Sequence, residues 1–274
     1  MNNDQSIPQF IIVGAMKAGT TTLAFHLNNH PKIHVPGKEV HFFNHHDEFE
    51  KGIEYYQSKL TKDAGSEAEL IGEKTPTYSY MKEVPERIKS MCPTSKIIWI
   101  FRDPVERAFS NYMHAKRAGV EELSFADALE QEDKRIISHI KYGYRTRSQY
   151  ADQVERYLLH FPLDQMFFMK IDEMMQPFDS THKLNALFAF LGVGSDGYHH
   201  QEVIKNKTSY KMKRPSDGLI GRLKSRLMGV TQDNSVDLEA QFKKELTDQN
   251  EALREYFRPY NDRLLKLTGV DLNA

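Results

Sequence analysis

Phe10-Ile11-Ile12-Val13-Gly14-Ala15-Met16-Lys17-Ala18-Gly19-Thr20-Thr21-Thr22-Leu23 is the stretch that decides the fold class. Its opening run of bulky, mostly β-branched residues reads as a short buried strand that breaks at Gly14, and a helix starts after the Lys-Ala-Gly turn. A strand that passes through a glycine-containing loop into a helix lets backbone N–H groups converge on an anion, and the helix adds the positive end of its dipole. The stretch therefore reads as a phosphate cradle. Gly14 and Gly19 have the spacing of the nucleoside-triphosphatase loop G-x-x-x-x-G-K-[ST], but Thr20 stands where the lysine belongs and Lys17 lies inside the loop. That displacement argues against ATP used with magnesium.

Outward from this loop, short apolar runs recur at Gln9–Val13, Leu70–Gly72, Lys96–Phe101 and Met166–Ile171. Segments of helical period lie between them: Thr21–Asn29, Ile53–Lys59, Val84–Met91, Val105–Arg117, Phe125–Glu132, Ser148–His160 and His182–Leu191. The alternation predicts an α/β protein with a central parallel sheet flanked by helices on both faces. Pro104 suits a first helical turn and Asp103 before it suits a cap. Ser195–Asp237 is rich in glycine and lacks a strand pattern, so it is expected to be a long loop or lid at the acceptor site. Leu238–Leu267 returns to helical periodicity.

The 274 residues, 39% hydrophobic, suffice for one core, and residues 1–274 are expected to form a single domain. A formal net charge of −1 gives no basis for a nucleic-acid partner or an anionic membrane surface. Cys92 is the single cysteine, which excludes an internal disulfide and fits a reducing compartment. The polar N-terminus lacks a charged leader followed by an apolar core, and no apolar run approaches the roughly 20 residues needed to span a bilayer. The expected location is cytoplasmic.

Further chemistry-bearing segments sit at strand ends or helix starts, where ligands of open α/β sheets bind. Lys38-Glu39-Val40-His41 precedes the aromatic pair Phe42-Phe43, and Gly72-Glu73-Lys74-Thr75-Pro76 follows a short strand. Pro76 disfavours a helical Thr75, so the chain should leave the strand extended with Lys74 at the mouth. Arg102 ends another strand and Ser110 lies two turns into the next helix, an arginine fork and a hydroxyl suited to one anion. Lys205–Arg226 is a basic stretch with Asp217 as its one acid. His41, His45 and His46 lack the spacing of a metal site, and none is expected.

Together these motifs resemble the sulfotransferases that use 3′-phosphoadenosine 5′-phosphosulfate (PAPS), most nearly the heparan sulfate 3-O-sulfotransferase type, from about Phe10 to Gly192. The resemblance implies a P-loop kinase-like sulfotransferase fold. It implies that Lys17, Ala18, Gly19, Thr20, Thr21 and Thr22 hold the 5′-phosphosulfate and that Arg102 and Ser110 hold the 3′-phosphate. Glu39 is then the general base that deprotonates the acceptor hydroxyl, and Lys74 and Lys17 lie beside the transferring group; from its residue type alone, His41 is an alternative base or a packed loop residue beside Phe42 and Phe43. No metal is required, and adenosine 3′,5′-bisphosphate is the product nucleotide.

With one cysteine the chain departs from the paired cysteines of the heparan type, and the membrane anchor of that type is not expected here. The family's lysine-glycine element is also absent in that form, and Lys213-Arg214-Pro215-Ser216 is the nearest candidate, which would bring Lys213 and Arg214 to the 3′-phosphate. The pattern looks like a bacterial cytosolic member acting in secondary metabolism on a small molecule or a saccharide, through a hydroxyl in preference to an amine. Two alternatives differ in class: an ATP-dependent small-molecule kinase with a variant loop, and a non-catalytic nucleotide-binding module. Tyr142–Arg147 either lines the acceptor side or packs a helix entry, and oligomeric state stays open.

Overall fold

β1 (Phe10–Gly14) is buried along its whole length, as befits a strand covered on both faces. It is the centre of a five-stranded sheet with β2 (Ile33–His34), β3 (Leu70–Lys74), β4 (Lys96–Phe101) and β5 (Met166–Lys170), in the order β2-β3-β1-β4-β5. All neighbouring pairs are parallel. The connection leaving β1 runs towards one edge and that leaving β4 towards the other, so the crevice opens at the carboxyl end of β1.

This computed structural model describes residues 8–179, 182–201 and 234–273. Within them the chain divides into two compact units, the first of residues 8–103, 149–201 and 260–273, the second of residues 104–148 and 234–259. The first unit contains the sheet and the helices α1 (Thr20–Asn28), α2 (His46–Phe49), α3 (Gly52–Thr61) and α4 (Val84–Met91). The second contains α5 (Pro104–Arg117), α6 (Phe125–Glu130) and α7 (Glu132–Arg135). The chain then returns to the first unit with α8 (Tyr150–Leu158) and α9 (Lys183–Leu191), and the long α10 (Asn234–Thr268) contributes residues to both.

The parallel sheet flanked by helices is the architecture that the alternation implies, and Lys96–Phe101 and Val84–Met91 have the expected ends. Pro104 opens α5. β2 escapes a pattern reading because it has two residues and pairs only with Leu70 and Ile71. The helix expected over Phe125–Glu132 is instead two, breaking at Gln131. There Glu132 is fully buried, and its carboxylate accepts hydrogen bonds from the Arg145 and Thr146 amides at 2.7 and 2.8 Å. A tertiary demand thus overrides the local period.

Two positions fix the sheet's packing. Phe10 pairs with Gly72, where any Cβ would overlap the Phe10 ring. Between Ile12 and Gly14 the register against β4 shifts, a bulge that ends regular pairing where the loop to α1 departs.

The second unit is organised around Phe109, Tyr112, Phe125, Tyr144, Phe242 and Phe257. Its fully buried Arg107 donates from Nε to Ser148 Oγ at 2.6 Å and from Nη2 to the carbonyl of Tyr144 at 2.5 Å. Arg107→Ala is expected to cost about 3 kcal/mol in chemical denaturation, because buried acceptors lose a charged donor; a loss below 1 kcal/mol would mean that water replaces it. Tyr144 is likewise buried and donates to Glu121 at 2.6 Å, and Arg147 is nearly buried. Tyr144 thus takes the packing side of the two readings of Tyr142–Arg147.

Candidate active site

The loop between β1 and α1 is shaped by its backbone. Ala15 N–H donates to the carbonyl of Ile100 on β4 at 2.8 Å, tying the loop's start to the sheet. Lys17 then takes φ 71° and Gly19 φ 97°, two left-handed residues that turn the chain back into α1. At Gly19 glycine is needed twice over, since a Cβ would also lie 2.8 Å from Ile171 Cδ1. Gly19 stands at the N-cap with no side-chain cap, so the positive end of the α1 dipole faces the loop, the arrangement that suits an anion. Ala18 is buried, as are Thr20 and Thr22, whereas Thr21 is half-buried.

The sheet holds a second segment against this loop. Thr75 N–H donates to the carbonyl of Ile12 at 3.2 Å and Ser79 N–H to that of Val13 at 2.8 Å. A Cβ on Gly14 would meet Ser79 Oγ at 2.5 Å, so the β1 exit and the turn after β3 are in close contact. Lys74, the last residue of β3, is carried into the crevice, nearly buried.

Lys74 Nζ lies 3.4 Å from Glu39 Oε1 and 3.5 Å from Thr21 Oγ1. His41 Nε2 lies 3.3 Å from Glu39 Oε2, and His41 Nδ1 is 3.2 Å from Asn44 Oδ1. Three segments distant in sequence thus converge: the start of α1 through Thr21, the β3 end through Lys74, and the 39–44 loop through Glu39 and His41. His41 adopts φ 56°, a conformation that costs a non-glycine residue about 1–2 kcal/mol. It accompanies the turn that puts two side chains of one short loop in contact.

Burial alone pushes the Glu39 carboxyl up, but the His41 hydrogen bond and the Lys74 charge more than offset it, holding the carboxyl below its ordinary value. The hydrogen bond to Glu39 correspondingly raises His41 against the opposing effect of burial. Behind them Glu73 is fully buried, and burial pushes its carboxyl up to about 7 despite hydrogen bonds from Tyr56, Thr75 and Tyr78. Cys92 is buried and its thiol is pushed up to about 12, which suits an unreactive core residue.

The other expected binding residues are distributed differently. Arg102 directly follows β4, half-buried, and its carbonyl accepts from Tyr150 Oη at 3.1 Å. Ser110 is buried on α5 in the second unit. Lys213 and Arg214 lie outside the described residues, as does most of the expected lid; α10 starts at Asn234, inside that stretch. Among the described residues no cluster of histidine, cysteine and carboxylate side chains could hold a metal, and no helix is long and apolar enough to cross a membrane. The motif reading attached function to Lys74 alone in Glu73-Lys74-Thr75; Glu73 and Thr75 emerge only when the strand is placed against the 39–44 loop.

A loop of this kind beneath a buried lysine and an ionised carboxylate, at the carboxyl end of a parallel sheet, defines a nucleotide-dependent group-transfer protein. Residues 7–269 match the family model of the sulfotransferase domain, and the chain belongs to that family. The crystal structure of a sulfotransferase from Alicyclobacillus acidocaldarius is similar, with 29% sequence identity, a TM-score of 0.69 and coverage of 96% of each chain. Human heparan sulfate glucosamine 3-O-sulfotransferase 3B1 is 29% identical over 98% of this chain. The mouse 3A1 enzyme of the same type is 30% identical over 97% of it. The chain spans 65% and 64% of the length of these two relatives. The resemblance seen in the motifs therefore extends over nearly the full chain.

Proposed function

We propose that this protein transfers a sulfuryl group from PAPS to an acceptor hydroxyl, and that the contact of Glu39 with Lys74, and of Lys74 with Thr21, is the observation that carries the reading. It joins a base, a buried cation and the phosphate loop in one constellation. The donor would supply an activated sulfuryl group with adenosine 3′,5′-bisphosphate as leaving group. The loop suits such a polyanion: the left-handed Lys17 and Gly19 turn it onto the N-terminal end of α1, whose dipole favours negative charge, and Lys17 adds a cation.

In this reading residues 17–22 bind the 5′ side and Arg102 and Ser110 the 3′-phosphate, with Lys213 and Arg214 as further candidates. Glu39, kept ionised, takes the proton of the acceptor hydroxyl. Lys74 and Lys17 meet negative charge as it spreads over the transferring oxygens. His41 orients the Glu39 carboxylate and offers an exit for its proton. The two compact units act as one sulfotransferase domain, with residues 195–237 bordering the acceptor. The acceptor is a small metabolite or a saccharide, a reading supported by the saccharide-modifying relatives. The single cysteine fits a reducing compartment, and the proposed site of action is cytoplasmic, in secondary metabolism.

Calorimetric titration tests the nucleotide assignment. Adenosine 3′,5′-bisphosphate is expected to bind without magnesium, and Arg102→Ala to weaken it roughly 30-fold or more, the scale of a lost charge-assisted phosphate contact. Binding of ATP with magnesium alone would restore the kinase alternative. If neither nucleotide bound, the constellation would not be a PAPS site.

A further inference from the structure

Glu39 and His41 sit on a loop with little regular structure of its own, yet their carboxylate and imidazole meet at 3.3 Å. What holds that loop is a hydroxyl. Thr75 Oγ1 accepts from the Val40 amide at 3.1 Å and from the His41 amide at 3.4 Å, and it donates to Glu73 Oε2 at 2.8 Å. Glu73 Oε1 accepts from the Tyr56 hydroxyl of α3, and the Tyr78 hydroxyl accepts from the Phe43 amide at 3.2 Å. Thr75, Glu73, Tyr56 and Tyr78 are all buried, none more than 5% exposed.

The direction of these bonds matters. A hydroxyl has one proton and two lone pairs. With its proton committed to the Glu73 carboxylate, Thr75 presents lone pairs towards the Val40 and His41 amides, the two peptide groups that join Glu39 to His41. Glu73 is anchored by the sheet through β3 and by α3 through Tyr56, so the loop is referenced to rigid elements.

The geometry points to Thr75 as a positioning residue: oriented by the buried Glu73, its hydroxyl fixes the Val40-His41 backbone and so sets the Glu39 carboxylate against His41 and Lys74. This rests on the proposed role of Glu39 as base, but its first readout needs neither donor nor acceptor. The His41 imidazole is raised by its bond to Glu39, so its titration, followed by NMR and assigned through its loss in His41→Gln, reports whether the two are held together.

Thr75→Val removes the hydroxyl and keeps the shape. It is expected to bring the His41 midpoint down towards the ordinary histidine value and to lower kcat by at least tenfold, since misplacement of about 1 Å costs up to roughly 100-fold. Binding of adenosine 3′,5′-bisphosphate should be unchanged, and Thr75→Ser should restore both His41 titration and kcat. A folded Thr75→Val protein with wild-type His41 titration overturns the proposal, as does a Thr75→Ser protein that behaves like the valine variant. Hydrogen exchange on the wild-type protein provides a check that needs no variant. The Val40 and His41 amides should be protected, and exchange at free-loop rates overturns the proposal. Should no acceptor be sulfated by the wild-type protein, the sulfotransferase reading fails while the titration and exchange results still decide the role of Thr75.

Discussion

Glu39→Gln is expected to lower turnover by roughly 10²–10⁴-fold, the range that a positioned general base contributes, while adenosine 3′,5′-bisphosphate binds nearly as it does to the wild type. The amide keeps the size of the side chain and an acceptor for the Lys74 contact at 3.4 Å, but it cannot take a proton. Because His41 and Lys74 hold the carboxyl below its ordinary value, the acid limb of the kcat profile should fall below about pH 4.5, the unperturbed value. Above that limb Glu39 is ionised and competent, and as pH falls through it the base is lost. Assay uses an acceptor found by screening with PAPS. Turnover left within threefold of wild type would remove Glu39 from the base role and turn attention to His41 at 3.3 Å.

Lys74→Met carries the second large effect, separable from the first by its pH signature. The substitution keeps an apolar stem in a nearly buried position and removes the cation next to Glu39 and Thr21. Loss of a preorganised charge at the transferring group is expected to lower kcat by about 10²–10³-fold. Removing that cation also lets burial push the Glu39 carboxyl up, so the acid limb should move to higher pH. A rate loss with an unmoved limb would place Lys74 on the transferring group alone. An unmoved limb at a wild-type rate would deny it either role. Lys74 touches the residues proposed for both halves of the chemistry, so this variant is expected to lose catalysis out of proportion to folding stability.

The fold class was legible because its signals are local. A buried apolar run that stops at Gly14, a turn, and a helical period are carried by contiguous residues, and they recur along the chain with the same polarity. Lys17, Gly19 and Lys74 could be singled out for the same reason, each lying at the visible end of a strand pattern. Two-residue β2 carries no period, and the split at Gln131 arises from the buried Glu132 carboxylate meeting amides of the 145–146 segment.

What the sequence by itself determined was a parallel α/β sheet with a glycine-containing loop between its first strand and a helix, and the residue types that a phosphate site and a base would require. Only the tertiary structure decided that β1 lies at the centre with β3 and β4 on either side, and hence that Thr21, Lys74 and Glu39 meet. It also decided that Glu73 and Thr75 stand behind them. Strand order and the placing of the Glu39 loop depend on contacts between residues 30 or more apart in sequence, such as Thr75 with Val40, and the buried Glu73 carboxylate depends on Tyr56 of another element. Local patterning has no term for these contacts; close packing of the folded chain supplies it.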